Sequence, residues 1–373
     1  MLFFLDVYGT YRYMGILLGF CIFIWFPLEF LKIKMPEMVL ILFGITYVIF
    51  ASFNVQLSVP TIYAFILLPL IIFKIGKLSS GFFRKETNIF LFLTMSLVAL
   101  AFLVSYSVLI SFLNEGVIGS RRPEIMYYDR TGQASERTAT LVGLHIVPLM
   151  SFLPLYFFQR KGELAKYFFI GSFLTILAIL VTTLTATRTP IVILTILLFV
   201  NFYVGMKNLS YFSKAVILAI FFLAVYSVTF IEFANFELTS FIYERFTDDD
   251  IYEAGSRKDV WLLGIENIFK YPFGGESLQI SYFHNLWLDL RHVAGVVPMI
   301  FLILLSLNFT FICWKLSSSS LFSIQLKAFL VTVYLSLFLM MFMEPILQGS
   351  FVFFLYYVFF GGVLIALKDV KHN

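Results

Sequence analysis

A chain of 373 residues that is 61% hydrophobic and only 13% charged cannot be a soluble globular domain, because such domains carry about 25% charged residues. With 48 Phe and a mean hydropathy of +0.94 its solvent must be largely lipid. The net charge is +4, and nothing in the sequence points to a nucleic-acid partner.

Residues Met1 to Arg12 include Asp6 and Arg12 and lack the basic start of a cleaved signal peptide, so the first span is expected to act as an uncleaved anchor. Apolar runs long enough for helices follow at 13–31, 36–53, 59–73, 88–113, 138–158, 166–186, 190–205, 212–233, 286–314, 325–347 and 350–367. The expected fold is an all-α polytopic membrane protein, a single membrane domain over residues 1–373 with about 11 transmembrane helices. The 59–73 run is short and calls for tilt or local thinning of the bilayer. Cys21 and Cys313 lie in separate apolar runs, match no metal spacing, and are expected to be free thiols.

Two connections are too long to be simple turns: 114–137 and 234–285. Both contain aromatic residues, which suit either a membrane-interface belt or stacking against sugar rings. In the larger one, GSRKDVWLLGIENIFKYP predicts an amphipathic helix with Ser256 as N-cap, Arg257 in the first turn and Pro272 as the stop. That helix is expected to lie on the membrane surface or to pack across the spans. Asp248, Asp249 and Asp250 could hold a divalent cation, but the absence of fixed ligand spacing favours a solvated loop tip.

The charges alternate between the two sets of connections. One set holds 15 of the 26 basic residues, 13 of them Lys; the other holds 11, of which 9 are Arg. The positive-inside rule places the lysine-rich set and the C-terminus in the cytoplasm and both long loops outside. An odd number of spans then puts the N-terminus outside. Arginine carries a planar fork that grips phosphate or carboxylate with two parallel hydrogen bonds, so an arginine-rich outer side suits an anionic ligand. Pairing with the external acids is the plainer alternative.

Arg188 stands in TATRTPIVIL, where Thr189 reads as an N-cap and Pro190 as the first helical residue. A helix start offers unpaired N–H groups and positive partial charge, so an arginine beside it makes an anion site. Arg257 repeats that combination on the loop helix; for both, snorkelling or pairing with an acid is the alternative. His284 and Asn285 follow in SYFHNLWLDLRHVAG, where the chain re-enters the membrane. His284 is the candidate general base, although a lone interfacial His is more commonly structural. His292 competes for that role, and His145 is expected to hydrogen-bond within the bundle.

There is no phosphate-binding loop, dinucleotide fingerprint or zinc motif, so no cofactor and no metal is expected. An external enzyme without these must use an already activated donor, such as a lipid-linked pyrophosphate.

The order TATRTP before a span, then GSRKDVW, then YPFGGES, then HNLWLDLRHVAG, resembles the bacterial O-antigen polymerase and O-antigen ligase superfamily. The resemblance covers about 188–295; the remainder agrees in hydropathy and span number alone. It implies a metal-independent glycosyltransferase in the bacterial inner membrane, acting at the periplasmic face on undecaprenyl-pyrophosphate-linked oligosaccharide. It further implies that Arg188 and Arg257 bind the donor pyrophosphate and that His284 deprotonates the acceptor hydroxyl. Asn285, Arg121 and Arg122 are the candidates for holding the second substrate, and a chain-length regulator is a candidate partner. Two arginine-bearing loops favour a polymerase over a ligase that transfers the glycan to lipid A core. A flippase for the same oligosaccharide is the alternative from another class, kept open by His145, Arg188 and Glu344.

Overall fold

The computed structural model of the protein describes residues 11–79, 85–98, 127–128, 134–135, 146–152, 167–184, 188–206, 251–275, 283–344, 346–349 and 351–370. In chain order, α1 (Tyr11–Trp25) stops where Pro27 opens the short α2 (Pro27–Leu31). Proline cannot supply the N–H that would have continued the first helix. Helix α3 (Met35–Asn54) starts with Pro36 in its first turn, and the Glu37 carboxylate accepts from the Lys34 N–H, half of a capping box. Helices α4 (Val59–Ile66) and α5 (Leu68–Leu78) are joined at Leu67, in front of Pro69, and run as one apolar stretch. Helix α6 covers Glu86–Val98.

Within the first long connection, β1 (Tyr127–Tyr128) pairs antiparallel with β2 (Ala134–Ser135), Tyr127 opposite Ser135. A buried 3-10 helix spans Val147–Phe152. Then follow α7 (Tyr167–Leu184), α8 (Arg188–Met206), α9 (Ile251–Glu266), α10 (Leu286–Ala294), α11 (Val296–Ser317), α12 (Ile324–Met343), the single turn α13 (Ile346–Gly349) and α14 (Phe351–Val370).

Five helices among the described residues are long and apolar enough to cross a membrane: Met35–Asn54, Val59–Leu78, Val296–Ser317, Ile324–Met343 and Phe351–Asp369. The expectation of about 11 spans is corrected accordingly. The protein is an all-α, multi-pass membrane protein, but among the described residues several of the counted apolar runs hold shorter helices. The 13–31 run is divided at Pro27, and 138–158 contains the 3-10 helix. The 286–314 run is broken at Gly295, leaving α10 as a separate nine-residue helix. Among the described residues Gly15–Trp25, Glu86–Val98, Phe169–Thr182 and Val192–Asn201 are apolar stretches shorter than a span. In the other direction, the 59–73 run lengthens to Leu78 and needs no thinning. The 212–233 run lies outside the described residues.

Helix α14 is the centre of the bundle, with 89% of its apolar window buried inside the protein against 39–61% for the other four spans. It lies along α5, where Gly362 faces the Phe73 carbonyl and Gly76 faces the Phe359 carbonyl so closely that neither has room for a Cβ. Lipid tails are as apolar as Leu, so helices in a bilayer associate through such close backbone approach and through hydrogen bonds. The Tyr356 and Ser96 hydroxyls, 3.0 Å apart, join α14 to α6, and those of Thr310 and Tyr334, 2.6 Å apart, join α11 to α12. Each such bond contributes about 0.6 kcal/mol. Phe329 packs between Phe90 and Phe152, 4.5 and 5.2 Å between ring centroids, and ties α12 to α6 and to the 3-10 helix.

The bundle has two chemically different ends. At one, Lys34 pairs with Asp369, and Lys77 lies 2.5 Å from Glu37. Buried Lys74 sits 3.8 Å from the same Glu37 and donates to the Lys32 carbonyl. The Ser323 N–H, at the start of α12, donates to Glu86 on this side. The other end gathers the last turn of α3, the first turn of α8, the C-terminal residue after α12, and all of α9 and α10.

Candidate functional site

The site forms where α9 and α10 meet the ends of the spans. Asn285 caps α10: its Oδ1 accepts from the N–H groups of Trp287 and Leu288, while its Nδ2 donates to the Phe342 carbonyl at 3.2 Å. The carboxamide proposed from sequence for substrate is thus engaged on both sides. Asp289, one turn into α10, reaches back over the preceding residues. Its two oxygens accept from the N–H groups of Phe283 at 2.6 Å and Asn285 at 3.2 Å. His284 is clamped between them with a φ of 52°, the only positive φ at a non-glycine among the described residues. A residue in that sparsely populated region persists only where its surroundings fix it, and such positions cluster at functional sites.

Burial pushes the Asp289 carboxyl up to about 6, against the opposing pull of the two backbone donors and of His284. On the same helix Arg291 is fully buried; it donates to the Gly264 carbonyl at 2.9 Å and lies over the Phe283 ring, 5.6 Å from its centroid. Helix α9 docks on this turn from above: the Trp261 indole donates to the Phe283 carbonyl at 2.6 Å, and Gly264 leaves space for the Phe283 ring. His292 meets the same ring edge to face, 5.3 Å away, a packing role.

The break after α10 is built by Gly295, whose φ of 80° and lack of a Cβ let it pass the Pro272 carbonyl. The Val296 N–H then donates to that carbonyl at 2.8 Å. Asn54, at the end of α3, donates to the carbonyls of Phe273 and Val293, both at 2.9 Å. The Gly274–Gly275 pair of the YPFGGES stretch, with φ of 79° and 77°, turns against the same Asn54 side chain.

The partner of His284 comes from far along the sequence. Glu344, which follows α12 and is fully buried, has Oε2 3.8 Å from His284 Nδ1 and accepts the Thr189 hydroxyl at Oε1, 2.6 Å away. The separation from His284 is an ion-pair distance, beyond hydrogen-bond length. The His284 side chain remains 39% exposed. The imidazole thus has a buried carboxylate near Nδ1 while part of its ring stays open to the surface.

Thr189 therefore does not cap α8 as expected; its hydroxyl goes to Glu344 across the bundle. Arg188 is the first described residue of α8, two residues ahead of the first helical position expected at Pro190, and its neighbour Thr189 links α8 to the His284–Glu344 pair. Arg257 is placed differently from expectation. Helix α9 begins at Ile251, so Ser256 is inside it and Arg257 is its seventh residue, beyond the first turn where helix-start charge acts. Arg121, Arg122, His145 and Asp248 to Asp250 lie outside the described residues. Among the described residues no group of three His, Cys, Asp or Glu side chains could hold a metal ion. Cys21 and Cys313 are free thiols.

No protein-family model matches the chain, and no curated protein matches it in sequence.

Proposed function

We propose that the protein is a polysaccharide polymerase of the O-antigen type, a metal-independent glycosyltransferase that moves a growing glycan from undecaprenyl pyrophosphate onto a lipid-linked repeat unit. The observation that carries this reading is the chain Thr189–Glu344–His284, which joins a half-exposed imidazole to the helix start bearing Arg188. It supplies the acid partner that the sequence did not reveal.

In the proposed reaction the acceptor hydroxyl gives its proton to His284 Nε2. Its oxygen attacks the anomeric carbon of the donor, and the bond from that carbon to the pyrophosphate oxygen breaks. Undecaprenyl pyrophosphate leaves with the electron pair, its growing charge met by Arg188 at the start of α8 and by Arg257. Glu344 acts through His284 as a positioning residue and stabilises the imidazolium that forms. The site faces the periplasm and the lysine end faces the cytoplasm of a bacterial inner membrane, in accord with the positive-inside rule.

The test is reconstitution in liposomes with a short lipid-linked repeat unit and no lipid A core, with products resolved by size. Wild type is expected to give a ladder that Arg188→Ala, Arg257→Ala and His284→Ala abolish. Transfer only after lipid A core is added would make the protein a ligase instead. Silence in both assays, with movement of the lipid-linked unit across the bilayer, would make it a flippase.

A further inference from the structure

Apart from the apolar helices Tyr11–Trp25 and Tyr167–Leu184 and the residues after the first, which also expose large apolar side chains, such side chains line the end of α9 and the turns after it. Leu262, Ile265, Phe269, Tyr271 and Phe273 are 46, 54, 86, 39 and 58% exposed, respectively. Leu262, Ile265 and Phe269 recur at helical spacing on one side of α9 and of the turns that continue it. The opposite side is committed to the protein through Trp261, Gly264 and buried Asn267.

The height of this segment is fixed by the end of a span. The Phe273 ring stacks on Phe50, 5.4 Å between centroids at 22°, and the Phe273 carbonyl accepts from Asn54. Phe50 and Asn54 belong to the last turns of Met35–Asn54. Beside them Ile49 and Phe53 are 48 and 72% exposed on the outer flank of the same span, the surface that a membrane helix presents to lipid. The apolar row therefore continues a lipid-facing surface sideways, at the depth where that span ends. Exposed Lys270 stands between Phe269 and Tyr271, the mixture of aromatic body and basic head found where hydrocarbon meets headgroups.

We propose that the Leu262–Phe273 segment is inserted into the headgroup–acyl boundary of the bilayer and that lipid is the partner of its apolar row. A helix with one face on protein and the other in that boundary fixes the height of His284 above the membrane. The proposal concerns lipid contact alone and holds whatever chemistry occurs at His284.

The test places nitroxide labels at Phe269→Cys, Phe273→Cys and, as a control, Lys258→Cys in a Cys21→Ser, Cys313→Ala background reconstituted in phosphatidylethanolamine–phosphatidylglycerol vesicles. Relaxation by oxygen is expected to exceed relaxation by a water-soluble nickel chelate at 269 and 273, and the order is expected to reverse at 258. Nickel dominating at 269 and 273 would overturn the proposal, as would labels there that neither reagent reaches, because protein would then cover the row. The unaltered protein supplies a second measurement with a photoactivated carbene lipid. Adducts within 262–273 as well as at 49–53 are expected, and adducts at 49–53 alone would overturn the proposal.

Discussion

Both ends of the bundle bury a carboxylate, and each end treats it differently. At the lysine end Glu37 is held by two fixed cations, Lys77 at 2.5 Å and Lys74 at 3.8 Å, with a backbone N–H on its other oxygen. At the histidine end Glu344 is met by a threonine hydroxyl and a half-exposed imidazole, and Asp289 by two backbone N–H groups. The first pairing ties α3 to α5. Glu344 meets no fixed cation of that kind: its partners are a hydroxyl and a ring that is partly open to the surface. The first arrangement joins two spans, and the second joins α8, α10 and the end of α12 around a ring that stays partly exposed.

Glu37→Ala breaks this contrast most severely. It leaves buried Lys74 without its carboxylate and is expected to cost about 3–5 kcal/mol, read as a lower unfolding temperature in detergent. Glu344→Gln is expected to do the reverse. Polymerisation should fall on the order of 10²-fold, with unfolding nearly unchanged, because the Thr189 hydroxyl still finds an oxygen acceptor. Gly295→Ala puts a Cβ against the Pro272 carbonyl at a φ of 80° and is expected to cost about 1–3 kcal/mol by thermal unfolding.

A smaller effect belongs to pH. The Asp289 carboxyl is raised in the folded state to about 6 from an ordinary value near 4. Its contribution to stability is present below about pH 4 and is lost as pH rises through about 6. The stability of wild type relative to Asp289→Asn should therefore fall as pH rises across that window, as followed by melting in buffered detergent. Smallest is Lys34→Ala, which removes an exposed pair with Asp369 and should change stability by no more than about 0.5 kcal/mol.

The sequence showed some of this directly. The runs 36–53, 325–347 and 350–367 correspond to α3, α12 and α14, because long uninterrupted apolar stretches admit one reading. The association of lysines with one end and of His284 and Arg188 with the other was likewise visible in the alternation of connections. What stayed hidden depended on contacts between distant parts of the chain. Glu344 was legible as a lone acid in an apolar run, a recognised sign of function in a membrane, but its pairing with His284 exists only after α8, α10 and α12 converge. Ser256 looked like a cap because Asp259 follows at the right spacing; the helix instead starts five residues earlier, at Ile251. The break at Gly295 had a local signal, Gly followed closely by Pro298, which a hydropathy window averages away.

The same break sets a lower limit on how small this membrane protein can be made. Interrupting the chain at Gly295 frees backbone groups near the edge of the hydrocarbon, and they are answered by the segment after α9 and by the end of α3: Pro272 accepts from Val296, while Asn54 reaches both Val293 and Phe273. In lipid each unanswered group costs several kcal/mol. The segment around Pro272 and Phe273 is therefore the stopper of the bundle rather than a decoration on it. A version trimmed to its spans would lose the backbone partners that close the ends of α3 and α11.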